Sequence, residues 1–436
     1  MKSIALAAVG AVLMGISCAA EVAAPSKPEP KPSKVEIAKR ADGWHLLKDG
    51  QEYFVRGACA WDYMKELKEA GGNSIRTWGA ATDPVLYDKA QAQGLTVCAG
   101  LWLPHADDRT FNYSDAQQVD AMVQRFKVYV QANKNHPALL MWGIGNEMEI
   151  GMAAPDPMWQ AIEKVAKMIK EVDPNHPTIT VIAGASEPKI KSILKFCPTL
   201  DALGVNTYVA LAITPSFLKS FGWEKAYLIT EFGTPGDWET RKTSWGAALE
   251  MNSSVAAQYI IGPYTQSISG QKGWCLGSYV FFWGTLEESP HYNFSGSHTW
   301  FEMFLDSREA MNTADAMQLV WTGRCAANRA PEITYWDSTV CLRTVPAGSP
   351  HTAVMRARDP DGDMARVRWE IRPEKNAPGQ KNPVPVSGCF DKAEGEDVSF
   401  KAPAQPGNYR LFVYAYDGKG KVAVANNPFV VGPAAP

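Results

Sequence analysis

Short apolar runs recur between residues 53 and 284, and most lack the alternation of a strand with one wet face. Eight stand out: "YFVRGACAW" (53–61), "SIRTWG" (74–79), "TVCAGLWLP" (96–104), "ALLMWGIGNEM" (138–148), "TITVIAG" (178–184), "ALGVNTY" (202–208), "AYLITEFG" (226–233) and "CLGSYVFFWG" (275–284). Continuous apolar strands are those of a parallel sheet covered on both faces. Between them lie helical patterns over 62–70, 84–93, 115–133, 158–172, 188–196 and 254–268, with a last one near 310–321. Eight strand and helix repeats predict an α/β fold, a closed (β/α)8 TIM barrel spanning residues 38–328. The rival, an open doubly wound sheet, lacks its signature, because no glycine-rich phosphate turn follows any strand.

After "GRCAANRAPEI" the texture changes. "TAVMRARD", "ARVRWEIR" and "NYRLFVYAYD" alternate apolar and polar positions, with "DPDGD", "NAPGQKNP" and "DGKG" as turns between them. Such spacing predicts a C-terminal all-β immunoglobulin-like sandwich over residues 329–436. The "DPDGD" turn (359–363) reads either as ordinary turn chemistry or as a calcium site.

The first twenty residues carry Lys2, an apolar run over 4–16 and small residues to Ala20, the layout of a signal peptide. Residues 21–37 are Pro/Lys-rich and predict an extended tether. Export would place the protein outside the cytoplasm, as a secreted, periplasmic or outer-surface protein. Cys18 sits in a loose lipoprotein-type box and offers a lipid anchor to a membrane. Seven further cysteines form an odd set without CxxC spacing. Of these, Cys59, Cys98 and Cys275 read as core, and Cys325, Cys341 and Cys389 as candidates for bridging.

The chain has 436 residues, 46% hydrophobic and 20% charged, which suits two globular domains. A net charge of −3 leaves no basic footprint for nucleic acid. The loop "HADDRTFNYSD" (105–115) is rich in oxygen ligands, but Ser114 and Asp115 open the next helix and favour a cap over a metal site. No Gly-x-Ser-x-Gly elbow or Cys-His pairing points to acyl transfer.

Reacting groups in a (β/α)8 barrel sit at the C-terminal ends of strands. Those ends supply Trp61, Arg76, Trp78, Trp102, His105, Asn146, Glu147, Asn206, Tyr208, Glu231 and Trp283. Glu147 and Glu231 terminate the fourth and seventh strands. A pair of carboxyl groups flanking a glycosidic bond can protonate the leaving oxygen and attack the anomeric carbon. The flanking aromatic residues offer flat surfaces for sugar rings.

With "GIGNEMEI" and "YLITEFG" in register, the chain resembles the clan-A retaining glycoside hydrolases. The resemblance implies that Glu147 is the general acid/base, with a raised pKa, and that Asn146 binds the sugar 2-hydroxyl. It further implies that Glu231 is the nucleophile, held ionised by Arg76 and oriented by Tyr208. Asn206 in "NTY" is closer to family 2 than to family 5, which usually has His there. The two-domain layout is also similar to family 158, whose members cut β-1,3-glucan internally. By the same resemblance Trp283 is a platform beneath the cleaved sugar, and Trp61, Trp102 and His105 line the site, or pack the barrel and cap a loop. Glu149 reads as a solvated loop charge, and Glu287 and Glu288 as facing solvent.

The expectation is a retaining β-glycoside hydrolase acting as a monomer on a polysaccharide or oligosaccharide, without cofactor or metal. Endo-cleavage of β-1,3-glucan is the first substrate expected. The alternatives are a transglycosylase, an exo-acting β-glycosidase of β-mannosidase or β-galactosidase type, and a noncatalytic carbohydrate-binding protein.

Overall fold

A computed structural model describes residues 32–79, 84–150, 155–286, 297–364, 366–375 and 381–433. The signal peptide, Cys18 and most of the tether lie outside them, as do Glu287 and Glu288.

Three short strands come first: β1 (Val35–Arg40), β2 (Gly43–Lys48) and β3 (Gln51–Glu52), paired antiparallel. The sequence pattern did not predict this sheet. Residues 33–37, expected as the end of the tether, are instead docked: Ser33 Oγ donates to the Leu139 carbonyl at 2.9 Å, and the Val35 amide to the Asn175 carbonyl at 2.8 Å. Val35 and Leu46 are buried in the same apolar cluster as Val55, Cys98 and Leu140, so the sheet covers the base of the barrel. Burial of two apolar residues outweighs the extended preference of the Pro/Lys-rich approach.

The barrel strands are β4 (Val55–Cys59), β5 (Ser74–Arg76), β6 (Thr96–Leu101), β7 (Leu139–Ile144), β8 (Thr178–Ala183), β9 (Ala202–Asn206), β10 (Ala226–Phe232) and β11 (Cys275–Val280). All neighbours are parallel, and β11 closes onto β4. Every residue of β6, β7, β9, β10 and β11 is buried, which is why their sequences show no polar alternation.

Outside run α1 (Met64–Glu69), α2 (Pro84–Ala92), α3 (Ala116–Asn133), α4 (Asp156–Val172), α5 (Glu187–Phe196), α6 (Thr214–Ser220), α7 (Ser253–Ser267) and α8 (Asn312–Thr322). On α4, Met158, Ile162, Val165, Ala166 and Ile169 are buried at helical spacing, the stripe that lays the helix on the sheet. Asp115 caps α3, accepting from the Gln117 amide at 2.9 Å and the Gln118 amide at 3.2 Å.

A two-residue strand, β12 (Ala310–Met311), precedes α8. The C-terminal strands are β13 (Glu332–Ser338), β14 (Thr344–Pro346), β15 (Pro350–Arg358), β16 (Arg366–Pro373), β17 (Asp397–Lys401), β18 (Gly407–Tyr416) and β19 (Lys421–Gly432). They make two sheets, β13-β15-β17 and β12-β19-β18-β16, with β14 also on β19. Met355, Trp369, Leu411, Val413 and Phe429 fill the space between them.

Two alternatives that the sequence leaves open are decided in this region. In the "DPDGD" turn, Arg329 pairs with Asp361 at 2.9 Å and Lys419 with Asp363 at 2.5 Å, so cations of the chain itself answer the acidic groups. Among the described residues no cluster suited to a metal ion is formed. All seven described cysteines, including Cys325, Cys341 and Cys389, are free thiols.

Candidate active site

The cleft chemistry begins where β7 ends. Gly145 adopts φ +71°, and a Cβ there would lie 1.8 Å from Met148 Sδ, so glycine is required for the turn. Glu147 follows with φ +50°, in the left-handed region, and its amide donates to the Val181 carbonyl at 3.0 Å. A non-glycine residue held there stores backbone strain of roughly 1–3 kcal/mol, a feature concentrated at functional sites.

Glu231, on β10, is buried and receives three donors. Arg76 Nη1 reaches Oε1 at 2.9 Å, Trp78 Nε1 reaches Oε1 at 2.6 Å, and Tyr208 Oη reaches Oε2 at 2.9 Å. Arg76, at the end of β5, is itself 2% exposed. Burial alone would lower its pKa, but the Glu231 charge and hydrogen bond together with smaller contributions from Cys59 and Cys98 outweigh that, so the guanidinium stays charged. Its other nitrogen, Nη2, donates to Asn146 Oδ1 at 2.7 Å.

Asn206 completes the link to Glu147. Its Nδ2 donates to Asn146 Oδ1 at 3.1 Å and to Glu147 Oε1 at 3.0 Å, while its Oδ1 accepts from Thr230 Oγ1 at 2.8 Å. The two carboxylates therefore stand at the ends of one hydrogen-bonded path, Glu231 to Arg76 to Asn146 to Asn206 to Glu147. Because Asn146 Oδ1 accepts twice, its amide nitrogen is the atom left for a ligand. Glu147 has its pKa pushed up to about 8, first by burial, then by the negative charge of Glu231; the Asn206 hydrogen bond works in the opposite direction.

Six of the residues singled out in the sequence thus converge: Glu147, Glu231, Asn146, Arg76, Tyr208 and Asn206. Trp61 lies one layer back, its ring 4.8 Å from that of Trp78. Trp102 is 41% exposed and stacks on His105 at 5.4 Å. Their segment is tied to the acid-bearing turn through the Ala106 amide, which donates to the Met148 carbonyl at 2.6 Å.

Trp283 is a correction. It is 1% exposed and packs on Phe304 and Trp321, with its Nε1 donating to the Tyr63 carbonyl at 3.0 Å, so no face is open to a sugar. The ring directly after β11 is Phe281, packed at 5.8 Å from Trp78 and 6.2 Å from Tyr208, the two aromatic residues that hydrogen-bond Glu231. Glu149 is also corrected: it is buried, accepts from the Ala183 amide at 2.7 Å and pairs with Lys189 at 2.9 Å.

Trp78, one of the strand-end residues, had no role assigned from the sequence, although it stands two residues beyond Arg76, the spacing that returns a side chain to the same face. Gly100 makes its position accessible, since a Cβ there would lie 2.3 Å from the Trp78 carbonyl oxygen.

Residues 58–233 match the model of the glycosyl hydrolases family 2 TIM barrel domain. The match runs from the end of β4 to the end of β10. The chain is similar to a candidate β-glucuronidase of Formosa agariphila, 26% identical over 178 residues, which are 41% of this chain and 15% of that protein. β-Mannosidase A of Aspergillus aculeatus is 29% identical over 129 residues, 24% of this chain and 13% of that protein. The alignments thus span a small part of these relatives' own length. The solved structure of Bacteroides uniformis β-glucuronidase 2, covalently bound to cyclophellitol-6-carboxylate aziridine, shares the fold with a TM-score of 0.51. It is 14% identical, over 92% of this chain and 48% of that one.

Proposed function

We propose that the chain is a retaining β-glycosidase of the family 2 type, exo-acting on a glycosidic substrate. The observation that carries this reading is the hydrogen-bonded path between Glu147 and a Glu231 loaded with three donors, both at the mouth of a barrel that matches the family 2 model. In the first step Glu231 attacks the anomeric carbon while Glu147 passes its proton to the leaving oxygen, breaking the glycosidic bond and forming a glycosyl ester. In the second, Glu147, now a carboxylate, takes a proton from water. The water oxygen bonds to the anomeric carbon and Glu231 leaves as a free carboxylate. The Asn146 amide nitrogen is placed to hold a sugar hydroxyl through both steps.

The relatives' names are those of β-glycosidases, which favours the exo-acting reading over the endo-β-1,3-glucanase first expected. The test is hydrolysis of a panel of aryl β-glycosides (galactoside, mannoside, glucoside and glucuronide) beside laminarin, with products resolved by length. Monosaccharide release from one aryl glycoside, lost in Glu231→Gln, supports the proposal. Early mixed oligosaccharides from laminarin would restore the endo reading, and inactivity on every β-glycoside would leave a carbohydrate-binding protein.

A further inference from the structure

Outside the reacting groups, a cluster of buried polar side chains bridges the barrel and the C-terminal sandwich. Its centre is Glu250, in the segment between β10 and α7. Thr299 Oγ1 donates to Glu250 Oε1 at 2.8 Å, Asn426 Nδ2 donates to Oε2 at 2.7 Å, and Ser297 Oγ also donates to Oε2. Asn426 belongs to β19 and is itself fixed by Arg410 of β18, whose Nη1 donates to Asn426 Oδ1 at 2.6 Å. Arg410 Nη2 reaches the Ala248 carbonyl at 2.9 Å, and Glu374 at 2.6 Å. A second contact lies alongside: His298 Nε2 is 2.8 Å from Tyr414 Oη, and the His298 ring is 4.4 Å from that of Phe412.

On the barrel side the cluster holds Ala248 and Glu250 and, from a second short segment, Ser297, His298 and Thr299; that second segment leads to the nucleophile. Trp300 Nε1 donates to the Pro235 carbonyl at 3.1 Å, and Phe301 has φ +65°. An aromatic residue in that backbone region persists only where its surroundings fix it. The Phe301 ring lies 5.1 Å from Tyr208 and 5.1 Å from Phe281, and Tyr208 is the donor to Glu231 Oε2.

We infer that Glu250, Asn426 and Arg410 are positioning residues: the sandwich holds the 297–301 segment so that Phe301 fixes Tyr208 against the nucleophile. The sandwich is then a working part of the site and not a detachable module. This inference rests on the β-glycosidase reading for its activity readout.

The test exploits the polarity of the Glu250 and Asn426 contact. Glu250→Gln removes the charge and turns one of its two accepting oxygens into a donor, and Asn426→Asp sets two carboxylates against each other. The double variant exchanges donor and acceptor at unchanged net charge, leaving Arg410 a carboxylate to bond. In the full-length protein, each single variant is expected to lower kcat about tenfold with KM changed less than about twofold, and the double to recover most of the loss. Tyr414→Phe, which deletes one hydroxyl, provides a milder second lesion with the same split.

Hydrogen exchange of peptides covering 297–302 and 205–210 is measured in parallel. It should rise in the single variants and return in the double, whatever the substrate. Parental kcat and exchange in all variants, or a double no better than the singles, overturns the inference. A parent without β-glycosidase activity would overturn the functional reading alone, since the exchange data would still report the coupling.

Discussion

The indole of Trp78 and the carboxylate of Glu231 are joined by a 2.6 Å hydrogen bond, on the same oxygen that Arg76 contacts. Oε1 is thereby occupied twice and Oε2 once, by Tyr208. On the proposed mechanism the less encumbered Oε2 is the oxygen that attacks.

Trp78→Phe keeps a ring against Trp61 and removes the donor. A hydrogen bond to a charged group contributes roughly 1.5–3 kcal/mol, so the change is expected to lower kcat by about tenfold or more. Steady-state kinetics should show little change in KM, because the bond serves the nucleophile and not the bound sugar.

Replacing the two carboxyl groups should give different lesions. Glu231→Gln removes the attacking oxygen and is expected to abolish turnover on every substrate. Glu147→Gln should cost about 10²–10⁴-fold on substrates with poor leaving groups and much less on an activated aryl glycoside. Added azide should rescue the second variant as a glycosyl azide of retained configuration, and should do nothing for the first.

On the proposed mechanism the raised pKa of Glu147 is expected to set the alkaline limb of the pH profile. Below it the group carries the proton that the first step consumes, and above it the proton is gone, so kcat/KM falls as pH rises through that value. Asn206 lowers this pKa by hydrogen bonding to the charged form, so Asn206→Ala should move the limb to higher pH. A limb that stays in place or moves to lower pH would refute that role for Asn206.

Arg76→Leu should destabilise the fold as well as silence the site. Glu231 would be left buried without its cation, a loss on the order of 3–5 kcal/mol. Urea denaturation should show the midpoint falling well beyond that of Trp78→Phe.

The barrel strands and the carboxylate pair were legible because a buried parallel strand is apolar without interruption, and a charge at its end interrupts a strong pattern. Where the pattern does not stop, the reading drifts. In "CLGSYVFFWG" nothing polar marks the strand end, so the platform was placed at Trp283 although the ring packed against Trp78 and Tyr208 is Phe281. Burial of Glu149 depends on Lys189, forty positions further on, and the partners of Asp361 and Asp363 come from Arg329 and Lys419. Local sequence does not carry such long-range pairings. The base sheet was missed because its strands are short and mostly half exposed, with Val35, Leu46 and Leu47 as its buried residues.

The two residues of β12 have a consequence for solubility. They run parallel to Lys421 and Val422 at the start of β19, while β14 takes the far end of the same strand. An open strand edge is a template for pairing with another chain. Here part of that edge is spent on the barrel, so loosening the two domains would also bare backbone amides that invite self-association.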